Sequence, residues 1–139
     1  MKLPALCIYG LMLCLTSWGL GGSPAQNSVV REVNAAIDNF EAMIQDPRKV
    51  YVVKFYAKWC SPCDAYGKKF VAFAKEHTHA QVVYLQVNVD ICPEVVAKYR
   101  VKSIPTTLII KKGEVVARMI GGNVINDLYK NLKKCGIEF

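Results

Sequence analysis

An α/β domain is predicted by three features of this 139-residue sequence. Strand-like and helix-like patterns alternate along it, the order that stacks helices against a sheet. The run Lys49 to Ala57 is nearly all apolar and rich in Val, Tyr and Phe, the mark of a central strand covered on both faces. Two cysteines separated by two residues, Cys60 and Cys63, stand where that strand gives way to helical spacing. With 53% hydrophobic and 21% charged residues, the composition fits one globular domain plus a short extra segment.

The extra segment is N-terminal. After Lys2 no charged residue occurs before Arg31, and Leu3 to Leu15 is mostly apolar, the pattern of a signal peptide. Ser23 and Ala25 supply small residues for cleavage, which divides the chain into residues 1–25 (leader) and 26–139 (domain). Ser17 and Gly19 offer an earlier cleavage site. A retained membrane anchor is the competing view, weakened by Pro4 and by Gly19, Gly21 and Gly22. Cys7 and Cys14 would leave with the leader.

Within the domain, Val29, Val30 and Val33 predict a first strand. Asp38 followed by Glu41 resembles a capping box opening a short helix with Phe40, Met43 and Ile44, ended by Pro47. Lys49 to Ala57 is the second strand. Pro62 suits the first turn of the next helix, since its missing N–H costs nothing there. Tyr66, Phe70, Phe73 and His77 then share one side, with Gly67 as a candidate bend.

Val82 to Val89 is a third strand, and Pro93 begins a helix through about Tyr99. Leu108 to Lys111 and Val115 to Ile120 flank a hairpin turn at Lys112-Gly113. Asn123 is the expected cap of a last helix carrying Ile125, Leu128 and Leu132, with Gly136 as its stop.

Physical chemistry gives the cysteine pair distinct roles. Cys60 would sit at a helix N-terminus, where unpaired amides and the macrodipole favour thiolate over thiol. Cys63, one turn on, would be near enough to attack a mixed disulfide formed by the first, making Cys60 the attacking and Cys63 the resolving thiol. Half of a zinc site is the other reading of such a pair, but no second Cys-x-x-Cys or spaced His/Cys pair completes one. His77 and His79 have no acidic or thiol partner at ligand spacing, so no metal is expected. The charge of +7 is spread in pairs such as Lys68-Lys69 and Lys133-Lys134. Without aromatic interleaving or a recognised binding motif this reads as a solvated surface and not as a nucleic-acid site; it leaves room for attraction to acidic partner proteins.

From about Val30 to Cys135 the sequence resembles the thioredoxin family. Val53 to Cys63 is similar to that family's strand and active-site turn, and Ile104-Pro105-Thr106, Lys112-Gly113-Glu114 and Gly121 follow in the family's order. The resemblance implies a thioredoxin fold, with a central mixed β-sheet flanked by helices on both faces and a cis peptide before Pro105 facing the cysteines. It implies dithiol–disulfide exchange with protein substrates through a Cys60–Cys63 disulfide, without metal or organic cofactor. Trp59, Ile104, Pro105 and Gly121 correspond to the surface that receives the target. Electrons would come from a reductase or from small thiols.

Four positions beside the pair bear on its tuning. Lys54 replaces a buried acid that usually lies beneath the cysteines, and Gln86 replaces the lysine that often accompanies it. A charged Lys54 near the pair would favour thiolates and make the protein more oxidising; a Lys54 turned to solvent or held neutral would change little. Ser61 and Pro62 stand where thioredoxins usually have Gly-Pro. Ser61 either donates to the Cys60 thiolate or faces water. Asp64 adds negative charge to the first helical turn, which steadies the helix and opposes the thiolate.

Cys92, before a helix near the same sheet end, is either an accessory thiol or an inert buried cysteine. Cys135 lies at the far end of the fold, too distant to pair with it.

The leading expectation is a secreted, secretory-pathway or organelle-lumen oxidoreductase, membrane-free after leader removal, that reduces or exchanges protein disulfides. The alternatives are a disulfide donor or isomerase, and a thioredoxin-fold subunit of a larger protein assembly.

Overall fold

A computed structural model describes residues 28–34 and 38–139; the expected leader, with Cys7, Cys14 and the cleavage sites, lies outside the described residues. In chain order the elements are β1 (Val30–Glu32), α1 (Phe40–Met43), β2 (Val50–Tyr56), α2 (Ser61–Glu76), β3 (Val82–Asn88), α3 (Pro93–Lys98), β4 (Thr106–Lys111), β5 (Glu114–Ile120) and α4 (Ile125–Lys134). Among the described residues no helix is long and apolar enough to cross a membrane.

The five strands form one mixed sheet in the order β1-β3-β2-β4-β5. β2 is central, paired parallel with β3 and antiparallel with β4. Its alternation feeds both layers of the core: Val50 and Val52 join Tyr66, Phe70 and Phe73 of α2 with Leu128 and Leu132 of α4. Tyr51, Val53 and Phe55 join Phe40 of α1 and Tyr99 beyond α3 on the other face. Because side chains alternate along a strand, Lys54 belongs to the same face as Val50 and Val52 and lies beneath α2. The β4–β5 hairpin turns at Lys112 and Gly113, both with positive φ (54° and 75°), as a two-residue primed turn requires.

Three local expectations are corrected. Asn39, not Asp38, caps α1: its side chain accepts from the Ala42 amide, while Asp38 is taken by Arg31 and the Asn34 amide. The cap position of α4 is Val124, not Asn123, and no side chain caps that helix. Gly67 does not break α2, which runs unbroken from Ser61 to Glu76. Its lack of a side chain has another use: an added Cβ would stand 3.3 Å from the Lys54 Nζ.

Candidate active site

The carboxyl end of β2 and the start of α2 set the cysteines at the sheet edge. Cys60 takes the N-cap position with extended backbone, and its Sγ accepts from the Cys63 amide at 3.3 Å. The Cys60 carbonyl also accepts from the Cys63 and Asp64 amides. The sulfur therefore meets one helix-terminal amide, that of Cys63, which favours negative charge on it. Cys60 and Cys63 are joined as a disulfide, with Cys60 6% and Cys63 2% exposed.

Ile104 packs against the cluster of Ala57, Cys60 and Cys63. The Ile104–Pro105 peptide is cis, and the Pro105 carbonyl accepts from the Gly121 amide at 2.8 Å. Trp59 is 71% exposed beside the pair. A shallow groove of ≈ 180 Å³ runs between Trp59, Val101 and Ile104. Trp59, Ile104, Pro105 and Gly121 thus gather around one end of the sheet, although up to 62 residues separate them in sequence.

Composition and spacing left several supporting residues unnoticed. Asp90, just past β3, accepts from the Trp59 indole N–H at 3.0 Å and fixes the ring. Parallel pairing of β2 with β3 brings their carboxyl ends together, which is the signal that places Asp90 near Trp59. Below the pair, the Tyr66 hydroxyl shares a buried 2.8 Å hydrogen bond with Thr107 and ties α2 to β4. At Gly122 an added Cβ would lie 3.7 Å from the Pro62 carbonyl, so β5 runs out close to the head of α2.

Lys54 is 4% exposed. Its ammonium sits 4.9 Å from the Tyr56 ring centroid and 5.4 Å from that of Phe70. Burial lowers its pKa below the ordinary lysine value, opposed by the negative charges of Glu32 and Asp64. Glu32 accepts from the Tyr56 hydroxyl and from Gln86, so Gln86 holds the acid beside the lysine. Ser61, Pro62 and Asp64 are exposed on the first turn of α2.

The two other cysteines among the described residues lie against different layers of the core. Cys92 caps α3 in the layer with Val33 and Tyr99, its Sγ 3.9 Å from the Val33 carbonyl. Cys135 ends α4 against the opposite layer, where burial raises its pKa despite nearby Lys111. His77 stacks on Phe73 with ring centroids 4.0 Å apart, a packing role.

The thioredoxin family model matches residues 31–134. A thioredoxin of Echinococcus granulosus is 36% identical over 96 residues, covering 69% of this chain and 85% of its own length. The protein named "Thioredoxin, mitochondrial" in Mus musculus is 28% identical over 134 residues, covering 96% of this chain and 72% of its own. Among solved structures, a thioredoxin from Nicotiana alata superposes with a TM-score of 0.69 at 27% identity, covering 81% of this chain and 97% of that one.

Proposed function

The chain belongs to the thioredoxin family and is a protein-disulfide oxidoreductase; from that premise we propose how its own residues divide the reaction. The Cys60 thiolate attacks a client disulfide, forming a Cys60–client bond while the client's other sulfur leaves as thiolate. Cys63 then loses its proton and attacks the Cys60 sulfur. The Cys60–Cys63 bond closes and the client leaves with both sulfurs reduced, two electrons having passed from the pair. The observation that carries this reading is the Cys60–Cys63 bridge at the head of α2, with the first sulfur accepting from the Cys63 amide.

In this reading Trp59, Ile104, Pro105 and Gly121 form the client-receiving surface, and an extended client segment bonds to the Ile104 backbone. The accessible indole of Trp59 beside a groove supports that use. A reductase or a small thiol resets the pair. Residues 1–25 direct the chain to a secretory or organelle lumen. The alignment of the mouse mitochondrial relative over 134 residues is compatible with an organelle route.

A second reading, net disulfide donation, is favoured by Lys54. Lys54 lines the same groove as Cys63. A cation there stabilises thiolate over disulfide and raises the potential, with about 30 mV corresponding to roughly 1.4 kcal/mol. Glutathione titration of the pair, with insulin reduction alongside, tests both. The expected potential is more oxidising than about −270 mV, and Lys54→Asp should lower it. An unchanged potential in Lys54→Asp sinks the lysine's tuning role, and failure of the wild type to reduce insulin sinks the exchange reading.

A further inference from the structure

α3 holds itself weakly. Its 6 residues are well short of the length at which a helix persists alone, its N-cap Cys92 makes no side-chain cap bond, and none of its own residues is buried. Backbone bonds close its C-terminal end, from the Arg100 amide to the Ala97 carbonyl and from the Val101 amide to the Val96 carbonyl, with Arg100 in the left-handed region at φ 51°. Residues 101–104 then run directly into the cis Ile104–Pro105 peptide. Val101, Lys102, Ser103 and Ile104 line the ≈ 180 Å³ groove beside Trp59.

Arg118 reaches that helix end from another element. It lies on the edge strand β5 opposite Leu108, whose side chain belongs to the same core layer as Tyr99. Its Nη2 donates to the Tyr99 carbonyl at 2.7 Å, and its Nη1 donates to the Arg100 carbonyl at the longer 3.5 Å. The guanidinium thus forks across two successive carbonyls at a helix C-terminus, where partial negative charge collects. Side chains at the same end are held separately, Lys98 and the Tyr99 hydroxyl both by Glu41 of α1. Further along, the Thr106 hydroxyl donates to the Ser103 carbonyl at 2.7 Å, and the Gly121 amide just past β5 bonds the Pro105 carbonyl. The loop between α3 and the cis peptide is therefore tied at both ends, and Arg118 supplies the first tie.

We propose that Arg118 is a positioning residue for client binding: by holding the end of α3 to β5 it sets residues 101–104, and with them the Ile104 backbone and the groove that meet the client chain. The inference rests on the reading of Trp59 and Ile104 as client-receiving residues. Because the partners of Arg118 are carbonyls and not the sulfurs, it acts on how a client chain is held and leaves the exchange chemistry alone. A small disulfide with no flanking chain does not sense it. Lysine replaces it only in part, since an ammonium is a point charge without the planar fork.

The test compares wild type, Arg118→Met and Arg118→Lys in insulin reduction with dithiothreitol as donor, and in the single-turnover reaction of the pre-reduced protein with hydroxyethyl disulfide. Arg118→Met should raise the KM for insulin by about tenfold, the loss of a charge-assisted bond, with kcat and the rate with the small disulfide unchanged. Arg118→Lys should recover part of the loss. The exposed control Arg48→Gln, whose partner is Asp46, should show no loss. Amide NMR shifts of oxidised Arg118→Met should fall on residues 99–104, and the potential of the cysteine pair should match wild type. An unchanged KM overturns the proposal, and the NMR shifts tell which premise failed. If residues 99–104 shift while KM stays, this surface does not receive the client; if neither changes, Arg118 positions nothing. Equal losses with insulin and with the small disulfide would also overturn it, by moving the effect to the cysteines or to folding.

Discussion

Replacing Gly67 by alanine asks whether the buried lysine occupies the space below α2. In an open helix interior Gly→Ala stabilises by about 0.8–1.0 kcal/mol. Here the new Cβ lies 3.3 Å from the Lys54 Nζ, closer than ordinary contact, so the lysine must give way. Pushing a side chain off its rotamer costs about 0.5–1.5 kcal/mol, which offsets the helix gain. Gly67→Ala should therefore leave stability within about 0.5 kcal/mol of wild type. In a Lys54→Leu background, where the side chain ends short of Gly67, the same change should recover the full gain of about 1 kcal/mol. Urea melts of the four proteins measure this coupling, and with a slope near 2 kcal/mol/M the gain is about 0.5 M in midpoint. An equal rise in both backgrounds would refute the placement of Lys54 against Gly67.

Other outcomes follow from the same geometry. Tyr66→Phe strands the fully buried Thr107 hydroxyl and should cost about 1–3 kcal/mol by urea melt, with partial recovery in Tyr66→Phe/Thr107→Val. Asn39→Ala should cost about 1 kcal/mol through the α1 cap, and no loss on that change would contradict the assignment of the cap to Asn39. Burial pushes Tyr66 and Tyr84 up to about 12 from an ordinary 10, so the folded state holds protons that the unfolded chain releases. Their contribution to stability is complete below about pH 10 and is lost as pH rises towards 12. Thermal melts at about pH 9 and pH 11, with tyrosinate absorbance, should show that fall, and a flat melting temperature would contradict it.

Much of the fold and of the reacting pair was legible because local chemistry determines it. The apolar run of β2 announces a central strand, Lys112-Gly113 a hairpin turn, and Pro62 the helix start that places Cys60 at its cap. What local reading could not supply was competition and long-range contact. Asp38 and Asn39 are both able caps, and the choice fell to Asn39 because Arg31, seven residues away, engages Asp38. Gly67 reads locally as a helix weakness, since nothing nearby in sequence reveals a lysine arriving from β2. The Trp59–Asp90 and Tyr66–Thr107 bonds span 31 and 41 residues and emerge when the strands pair.

The division of labour between the cysteines is tested most directly by trapping. Cys63→Ser, mixed with a disulfide-bonded client such as insulin, should accumulate a mixed disulfide at Cys60, and Cys60→Ser should accumulate none. Trapping by Cys60→Ser through Cys63 would contradict the account, as would insulin reduction that persists when both cysteines are replaced by serine.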